Sequence, residues 1–160
     1  ANLVVVDLDG GSDISLFAKT DVHLIGDVLG YFTNTDAALS NAGLLELLPS
    51  PTRVFDTRAS GVKVTPGAPI NPNVIADLSV APADVLALSM SVTAVQAEGQ
   101  TFVTVSPSGN TDTSTLNLPS DERRSNAAYT GVAGDGTIVV GSSNPVHVLG
   151  DVFGYFQTAS

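Results

Sequence analysis

Apolar and polar residues alternate at every second position along most of the chain, which is the pattern of half-buried β-strands. The clearest runs are VLALSMSVTAV (85–95), TFVTVS (101–106) and VHVLGDVFGYF (146–156). Shorter runs are predicted as strands at 2–6, 14–18, 22–32, 52–56, 62–64, 74–80, 114–118, 126–132 and 137–141. About a dozen such strands need a facing sheet or closure into a barrel. We expect an all-β, two-layer β-sandwich.

Two local patterns refine this expectation. The turn residues EGQ (98–100) separate the runs 85–95 and 101–106, so these runs are predicted to form a hairpin. The stretch NTDAALSNAGLLELLPSP (34–51) breaks the alternation, with Asp36 as a possible N-cap and Pro49 as a stop. We therefore expect a linker or a short helix over 36–50.

The chain contains an internal duplication. VHLIGDVLGYF (22–32) matches VHVLGDVFGYF (146–156) at eight of eleven positions, and the match extends without a gap over 1–35 and 125–159. Agreement in phase over this span indicates a repeat. Residues 1–35 are thus predicted to be the C-terminal third of a repeat unit, which either packs with the rest or belongs to a preceding unit. Residues 51–160 are predicted to be a complete β unit.

Several motifs of this unit occur in a recognisable order. They are PTRVFDTR (51–58), VLALSMSVTAV (85–95), FVTVSPSG (102–109), STLNL (114–118), Asn126, GDG (134–136) and VHVLGDVFGYF (146–156). The set resembles a repeat found in tandem in large secreted bacterial surface proteins, in which DTR opens the unit and DVxGYF closes it. The chain departs from that pattern at Ser91, where the family has Asn, and in the linker before Pro51. The resemblance implies an exported, non-catalytic β module.

Charge and composition exclude several classes of function. The formal net charge is −10, from 6 basic and 16 acidic residues, so no basic patch can bind nucleic acid or an anionic membrane. No apolar run reaches the roughly 20 residues that span a bilayer, so we expect no membrane insertion. The chain has no cysteine and therefore no disulfide. The acidic composition suits an extracellular or cell-surface protein.

The duplicated strand carries a carboxylate that needs a partner. With apolar residues on one face and mostly apolar residues on the other, it is predicted to be central in its sheet, so Asp27 and Asp151 become at least partly buried. The candidate cations are Arg53 and Arg58, and also Arg123 and Arg124. Arg53 and Arg58 lie five residues apart, so a bulge or turn must separate them for both to pair inward. We predict that Arg58 forms a bidentate pair with Asp151 or Asp27, whose disruption costs about 3–5 kcal/mol. The residues predicted to form the repeat core are Val28, Gly30, Tyr31, Phe32, Val152, Gly154, Tyr155 and Phe156.

One stretch suggests a cation site. Asp7, Asp9 and Asp13 have a spacing similar to that of calcium loops. The aligned positions of the second copy carry no carboxylate, and the glycines of DLDGGSD explain a turn without calcium. Calcium is therefore a weak alternative there, and we expect no other cofactor.

The sequence offers no catalytic set. FDTR (55–58) has Arg58 where an aspartic protease needs glycine, and His23 and Asp27 lie about 13 Å apart along a strand, too far for a His-Asp relay. We expect a non-catalytic structural or adhesive module that contacts itself or neighbouring units and self-assembles into a fibre or layer by strand sharing. The alternative is a carbohydrate-binding module that recognises glycans through the polar loop 106–114.

Overall fold

The computed structural model of the protein describes residues 2–6, 8, 13–32, 43–109 and 112–157. Helix is nearly absent from this part, which contains one four-residue α-helix and one 3-10 turn, Pro82–Asp84. The elements in chain order are β1 (Leu44–Asp56), α1 (Thr57–Ser60), β2 (Val85–Val95), β3 (Thr101–Ser106), β4 (Leu116–Leu118), β5 (Arg123–Gly131), β6 (Val139–Ser142) and β7 (His147–Gln157). No helix among these residues is long and apolar enough to cross a bilayer.

The strands form two antiparallel sheets. The larger has the order β1-β7-β2-β5 and the smaller has the order β4-β3-β6. Buried side chains from both sheets form one hydrophobic cluster, so the sheets are the two layers of a sandwich. The all-β, two-layer prediction is confirmed, although the described residues form seven strands instead of about a dozen.

The core follows from the alternation in β2. Its residues Leu88, Met90, Val92 and Ala94 are fully buried, and each large one stabilises the fold by about 1.5–3 kcal/mol relative to exposure. The facing sheet and the loops complete the cluster. Other fully buried side chains are Val64, Val74, Ile75, Val103, Leu116, Leu118, Ile138, Val140, Val146, Val148 and Val152.

The predicted hairpin of 85–95 and 101–106 is wrong, although both strands exist with the predicted bounds. β2 pairs with β5 and β7, whereas β3 pairs with β4 and β6 in the other sheet. Both edges of β2 are occupied, so β3 cannot pair with it. The connection crosses between the layers after Gln96, which has a φ of +55°.

The predicted strand 74–80 is also wrong. The side chain of Asn73 accepts hydrogen bonds from the backbone N–H groups of Ile75 and Ala76, at 3.1 and 3.0 Å. Such a side chain offers the backbone an alternative to a sheet ladder, and the segment forms turns. The predicted strand 62–64 is reduced to one bridge between Val64 and Val146.

The helix or linker predicted at 36–50 is wrong where it can be compared. Residues 44–50 belong to β1, and Leu44 to Leu47 pair with Gln157 to Gly154 of β7. Residues 36–42 lie outside the described residues. Pairing with β7 overrides the helical spacing of the leucines, and the β unit begins at Leu44 instead of 51.

The first copy of the repeat does not fold like the second. Residues 2–6, 14–18 and 22–32 form no strand, and side chains such as those of Ile25 (92%) and Val28 (89%) are exposed. The strands predicted there are wrong. The second copy forms β5, β6 and β7, and β7 already lies between β1 and β2. The position that residues 22–32 would need is therefore filled.

β7 departs from strict alternation at Phe153. Gly154 and Val152 lie opposite the consecutive residues Ser89 and Met90 of β2, so Phe153 is an extra residue, a β-bulge. The bulge exchanges the two faces of the strand beyond it. Tyr155 consequently joins the core with Val152, which period-2 reasoning cannot predict.

Candidate functional site

The polar residues of the DTR segment and of β7 meet at one place, which we call the DTR junction. Its members are Arg53, Asp56, Thr57, Arg58, His147 and Asp151. β1 ends at Asp56, whose extended backbone and side chain cap α1, and Gly61 ends α1 with a φ of +70°. The single helical turn places Thr57 towards β7.

Asp56 is the centre of the charged part of the junction. Its carboxylate accepts hydrogen bonds from Arg58 Nε at 3.0 Å, Arg58 NH2 at 2.7 Å and the Arg58 backbone N–H at 3.0 Å. Arg53 NH1 donates a further bond at 3.4 Å. The Arg58 hydrogen bonds are the main reason that the pKa of Asp56 falls from 3.8 to about 2. The same contact raises the pKa of Arg58.

Asp151 is neutralised by Arg53, not by Arg58 as predicted. Arg53 Nε and NH2 donate to the two carboxylate oxygens of Asp151 at 2.8 and 3.0 Å, and this pairing raises the pKa of Arg53. The prediction of a bidentate arginine at Asp151 is confirmed, but its partner is wrong because a register shift between Arg53 and Phe55 and the turn into α1 send Arg58 towards Asp56. The side chains of Arg53 and Asp151 are 47% and 23% exposed, so the expected cost of 3–5 kcal/mol is too high.

Asp27 does not behave like Asp151. It is exposed, it lies in a segment without strand structure, and it forms no ion pair with the cations of the described residues. The predicted pairing of Asp27 with Arg58 is therefore wrong. The reason is that residues 22–32 have no neighbouring β1 and β2.

The uncharged part of the junction is buried. The Thr57 hydroxyl oxygen accepts the backbone N–H of Val148 at 2.9 Å and lies 3.1 Å from His147 Nδ1. Because this oxygen already accepts one hydrogen bond, the Thr57 hydroxyl can donate to Nδ1 of a neutral imidazole. Thr57 thus fixes the side chain of His147 and the backbone of β7 together.

Two glycines of β7 are required by close packing. A Cβ on Gly150 would overlap the ring of Phe55, and one on Gly154 would overlap the Glu46 carbonyl oxygen of β1. Glycine allows such an approach at no steric cost. The GDVFG spacing therefore matches the surface of β1.

The predicted repeat core is correct for the second copy only. Val152, Gly154 and Tyr155 are buried, and Phe156 is half-buried with an edge-on contact to Tyr129 at 5.6 Å between ring centroids. Burial, followed by the hydrogen bond to Glu46, raises the pKa of Tyr155. The corresponding prediction for the first copy is wrong, because all four of its residues are exposed: Val28, Gly30, Tyr31 and Phe32.

The structure adds little to the calcium hypothesis. Asp7 and Asp9 lie outside the described residues, and Asp13 is exposed. Among the residues that are described, no three His, Asp or Glu side chains are grouped so that they could hold a metal ion. His23 is exposed whereas His147 is buried.

The polar loop region borders a shallow depression of about 260 Å³. Its lining residues include Ser106, Ser108, Thr113 and Tyr129, together with Leu29 of the first repeat copy. This depression combines Tyr129 with residues of the loop predicted to recognise glycans.

Sequence reasoning missed the central part played by Asp56 and Thr57. A signal was present, since Asp followed two residues later by Arg after a strand is an N-cap with its own cation nearby. Comparison adds no further assignment: no family model, curated protein or solved structure matches the chain. The resemblance to secreted bacterial repeats stays a prediction based on the motif order.

Proposed function

We propose that the chain is a non-catalytic structural or adhesive unit of an extracellular or cell-surface protein, and that it assembles with other units of its kind. The observation that carries this proposal is the DTR junction. Every one of its polar side chains bonds to the protein itself, and together they attach the end of β1 to the last strand.

Because the polar side chains of the DTR junction bond to the protein itself, they favour a structural role over a catalytic one. A general base must reach a proton of the substrate, yet His147 is buried with Nδ1 at Thr57. The carboxylates of Asp56 and Asp151 are each paired with arginine. A carboxylate with a pKa near 2, as at Asp56, is a poor proton acceptor at neutral pH.

The edges of the larger sheet support association. β1 is an edge strand of that sheet, and its residues Leu44, Leu45 and Leu47 are exposed. An apolar edge strand presents both unpaired backbone groups and hydrophobic surface to another chain. Residues 22–32 present further exposed apolar side chains, among them Ile25 and Val28.

The proposal is tested by location and by assembly. Antibodies against the folded unit should label intact cells that produce the protein as strongly as permeabilised cells. Light scattering after size exclusion and negative-stain electron microscopy should show species larger than 16.3 kDa that grow with concentration. Labelling only after permeabilisation, or a monomer at every concentration, would contradict the respective part.

A carbohydrate-binding role is the second candidate, and the depression beside Tyr129 favours it. Its hydroxyls can bond to sugar hydroxyls, and an aromatic ring can stack on a sugar face. A glycan array should then show a ligand whose binding is lost in Tyr129→Ala and kept in Tyr31→Ala. Absence of any signal at high protein concentration would count against this role.

A further inference from the structure

We propose that residues 22–32 are a closing strand for another unit of the same kind, and that they bind between its β1 and β2 as β7 does here. This inference rests on the proposed function and names the partner and the surface through which units join. We call the space between β1 and β2 the β7 slot. The partner is a unit whose β7 slot is not filled by a strand of its own.

The β7 slot has a defined chemistry. β7 pairs antiparallel with β1 on one side and with β2 on the other, so a strand in the slot is central in the sheet. Arg53 of β1 and Ser91 of β2 both lie opposite Asp151. The slot therefore offers a guanidinium at one fixed register position.

Residues 22–32 repeat each feature of β7 that the slot recognises. His147, Gly150, Asp151 and Gly154 contact Thr57, Phe55, Arg53 and the Glu46 backbone respectively. The same four residue types stand at the same spacing in the first copy, as His23, Gly26, Asp27 and Gly30. The apolar positions between them are also matched, so the first copy fits the slot in the register of β7.

The two glycines of the first copy are not required by packing where they now lie. A Cβ on Gly26 or Gly30 would meet no atom within 4 Å, whereas their counterparts Gly150 and Gly154 have no room for one. Glycine weakens a strand and pays a conformational entropy cost, so it is expected where a neighbour approaches closely. Such a neighbour exists in the β7 slot.

The chain contains two copies of the closing sequence, 22–32 and 146–156, but one β7 slot among its described residues. β7 fills that slot. Residues 22–32 touch the folded unit only from outside, with Phe32 at 6.2 Å from Phe156 between ring centroids and Leu29 at the depression. Val22, Leu24, Ile25, Val28 and Leu29 are left exposed. The surplus strand points to a slot in another unit, as in donor-strand complementation.

The test uses the absence of natural cysteine. The donor is the full chain with Asp27→Cys. The acceptor is the full chain with Arg53→Cys, with Gly150→Val to exclude its own β7, and with Gly26→Val to exclude its own first copy. Donor and acceptor are refolded together and oxidised with diamide. Position 27 in the place of 151 would lie directly opposite position 53, where a disulfide can form.

Three controls define specificity. A donor with Gly26→Val as well as Asp27→Cys carries the steric block on the strand, and its own unit should unfold at an unchanged temperature because Gly26 has no neighbour. A donor with Val28→Cys places the thiol on the opposite face. The chain with Arg53→Cys and Asp151→Cys shows that the position permits a disulfide.

The expected result is an interchain disulfide with the Asp27→Cys donor, at a yield about fivefold or more above that of the blocked donor, since overpacking weakens binding by about this factor or more. Equal yields with both donors, or none with either, would overturn the proposal. An acceptor that unfolds cooperatively on its own would also overturn it, because a slot that accepts valine at position 150 does not select the glycines that the first copy shares with β7.

The outcome is separable from that of the proposed function. A natural chain that self-associates while the 27–53 disulfide fails keeps the proposed function and overturns this inference. A specific 27–53 disulfide with a natural chain that stays monomeric supports the inference and contradicts self-assembly of this chain by itself.

Discussion

Asp56 shows how one side chain can organise a turn by accepting hydrogen bonds from three directions. It caps α1 through the Arg58 backbone N–H, holds the Arg58 guanidinium on both oxygens, and contacts Arg53. Its ionised form is thereby favoured in the folded state and not in the unfolded chain. The contribution of this turn to the free energy of unfolding therefore depends on pH.

The stabilisation that Asp56 provides is expected to disappear in acid. The folded pKa of about 2 lies below the ordinary 3.8, so the contribution is complete above about pH 5 and is lost as the pH falls towards 2. Asp56→Asn keeps the cap acceptor but has no charge to titrate. Urea unfolding of both proteins should show a difference that is constant from pH 7 to about pH 5 and narrows from there down to pH 2.5. A difference that stays constant with pH would contradict the assignment of this contribution to ionised Asp56.

Asp56→Ala should lower the free energy of unfolding by about 1 kcal/mol more than Asp56→Asn, because it also removes the cap of α1.

Gly150 and Gly26 form a matched pair for the close approach of β1. Gly150→Ala is expected to lower the free energy of unfolding by about 2–3 kcal/mol, because the new Cβ overlaps the Phe55 ring. Gly26→Ala should change it by less than about 0.5 kcal/mol, since nothing lies within 4 Å. Thermal and denaturant unfolding measure both. Similar effects at the two positions would show that the two copies do not differ in packing as described.

At the residue scale, the sequence predicted which kinds of contact form better than it predicted which residues form them. Scarce cations and a carboxylate in a central strand correctly predicted a bidentate arginine at Asp151. The choice between Arg53 and Arg58 depends on a register shift in β1 and on the turn into α1. The turn has a local signal in Asp56 and Arg58, whereas the register shift has none, because it results from pairing with a strand about 100 residues away.

At the scale of elements, α1 and β7 are joined by buried hydrogen bonds and β1 and β7 by an exposed ion pair. The two kinds of contact have different energetics. A buried donor or acceptor that loses its partner carries the full desolvation cost, whereas an exposed ion pair remains solvated when it is broken. Thr57 should therefore matter more to stability than Arg53.

Thr57→Val is expected to cost about 1–3 kcal/mol, because it keeps the shape but leaves the Val148 N–H and His147 Nδ1 without a partner. Thr57→Ser keeps the hydroxyl and should cost less than half as much. Denaturant unfolding compares the two variants. Serine that is as damaging as valine would mean that methyl packing, not hydrogen bonding, attaches α1 to β7.

The Arg53–Asp151 pair should contribute about 0.5–1 kcal/mol in a double-mutant cycle of Arg53→Met and Asp151→Asn, given its partial exposure. The coupling should decrease between 0.05 and 1 M salt, because salt screens exposed charges. A coupling of 3 kcal/mol or more that resists salt would restore the buried-pair interpretation.

Elements were predictable where the chain pattern alone determines them. β2, β3 and β7 alternate strongly, and the pattern gave their bounds to within a residue. Residues 44–50 have helical spacing and became strand through pairing with β7. The β2–β3 hairpin failed because β5 and β7 occupy both edges of β2. These errors arise from competition among distant segments, which local patterns do not report.

At the scale of the whole molecule, residues 43–157 contain the complete core and the first repeat copy lies outside it. A chain without residues 1–32 should therefore unfold within about 3 °C of the full chain, which is the order of the change expected for 1 kcal/mol at this size. Calorimetry of both chains measures this. The shortened chain should also lose concentration-dependent association. A large fall in unfolding temperature would show that 2–32 stabilises the unit in cis.

The order of strands in the larger sheet has a consequence for how the protein is made. Among the described residues, the last strand, β7, lies in the middle of that sheet, and the first strand, β1, pairs within the sheet with β7 alone. While a ribosome is still extending the polypeptide, β1 has no partner and the sheet cannot close. Completion of the larger sheet thus waits until β7 has been synthesised, and the strands made before it stay incompletely paired up to that point.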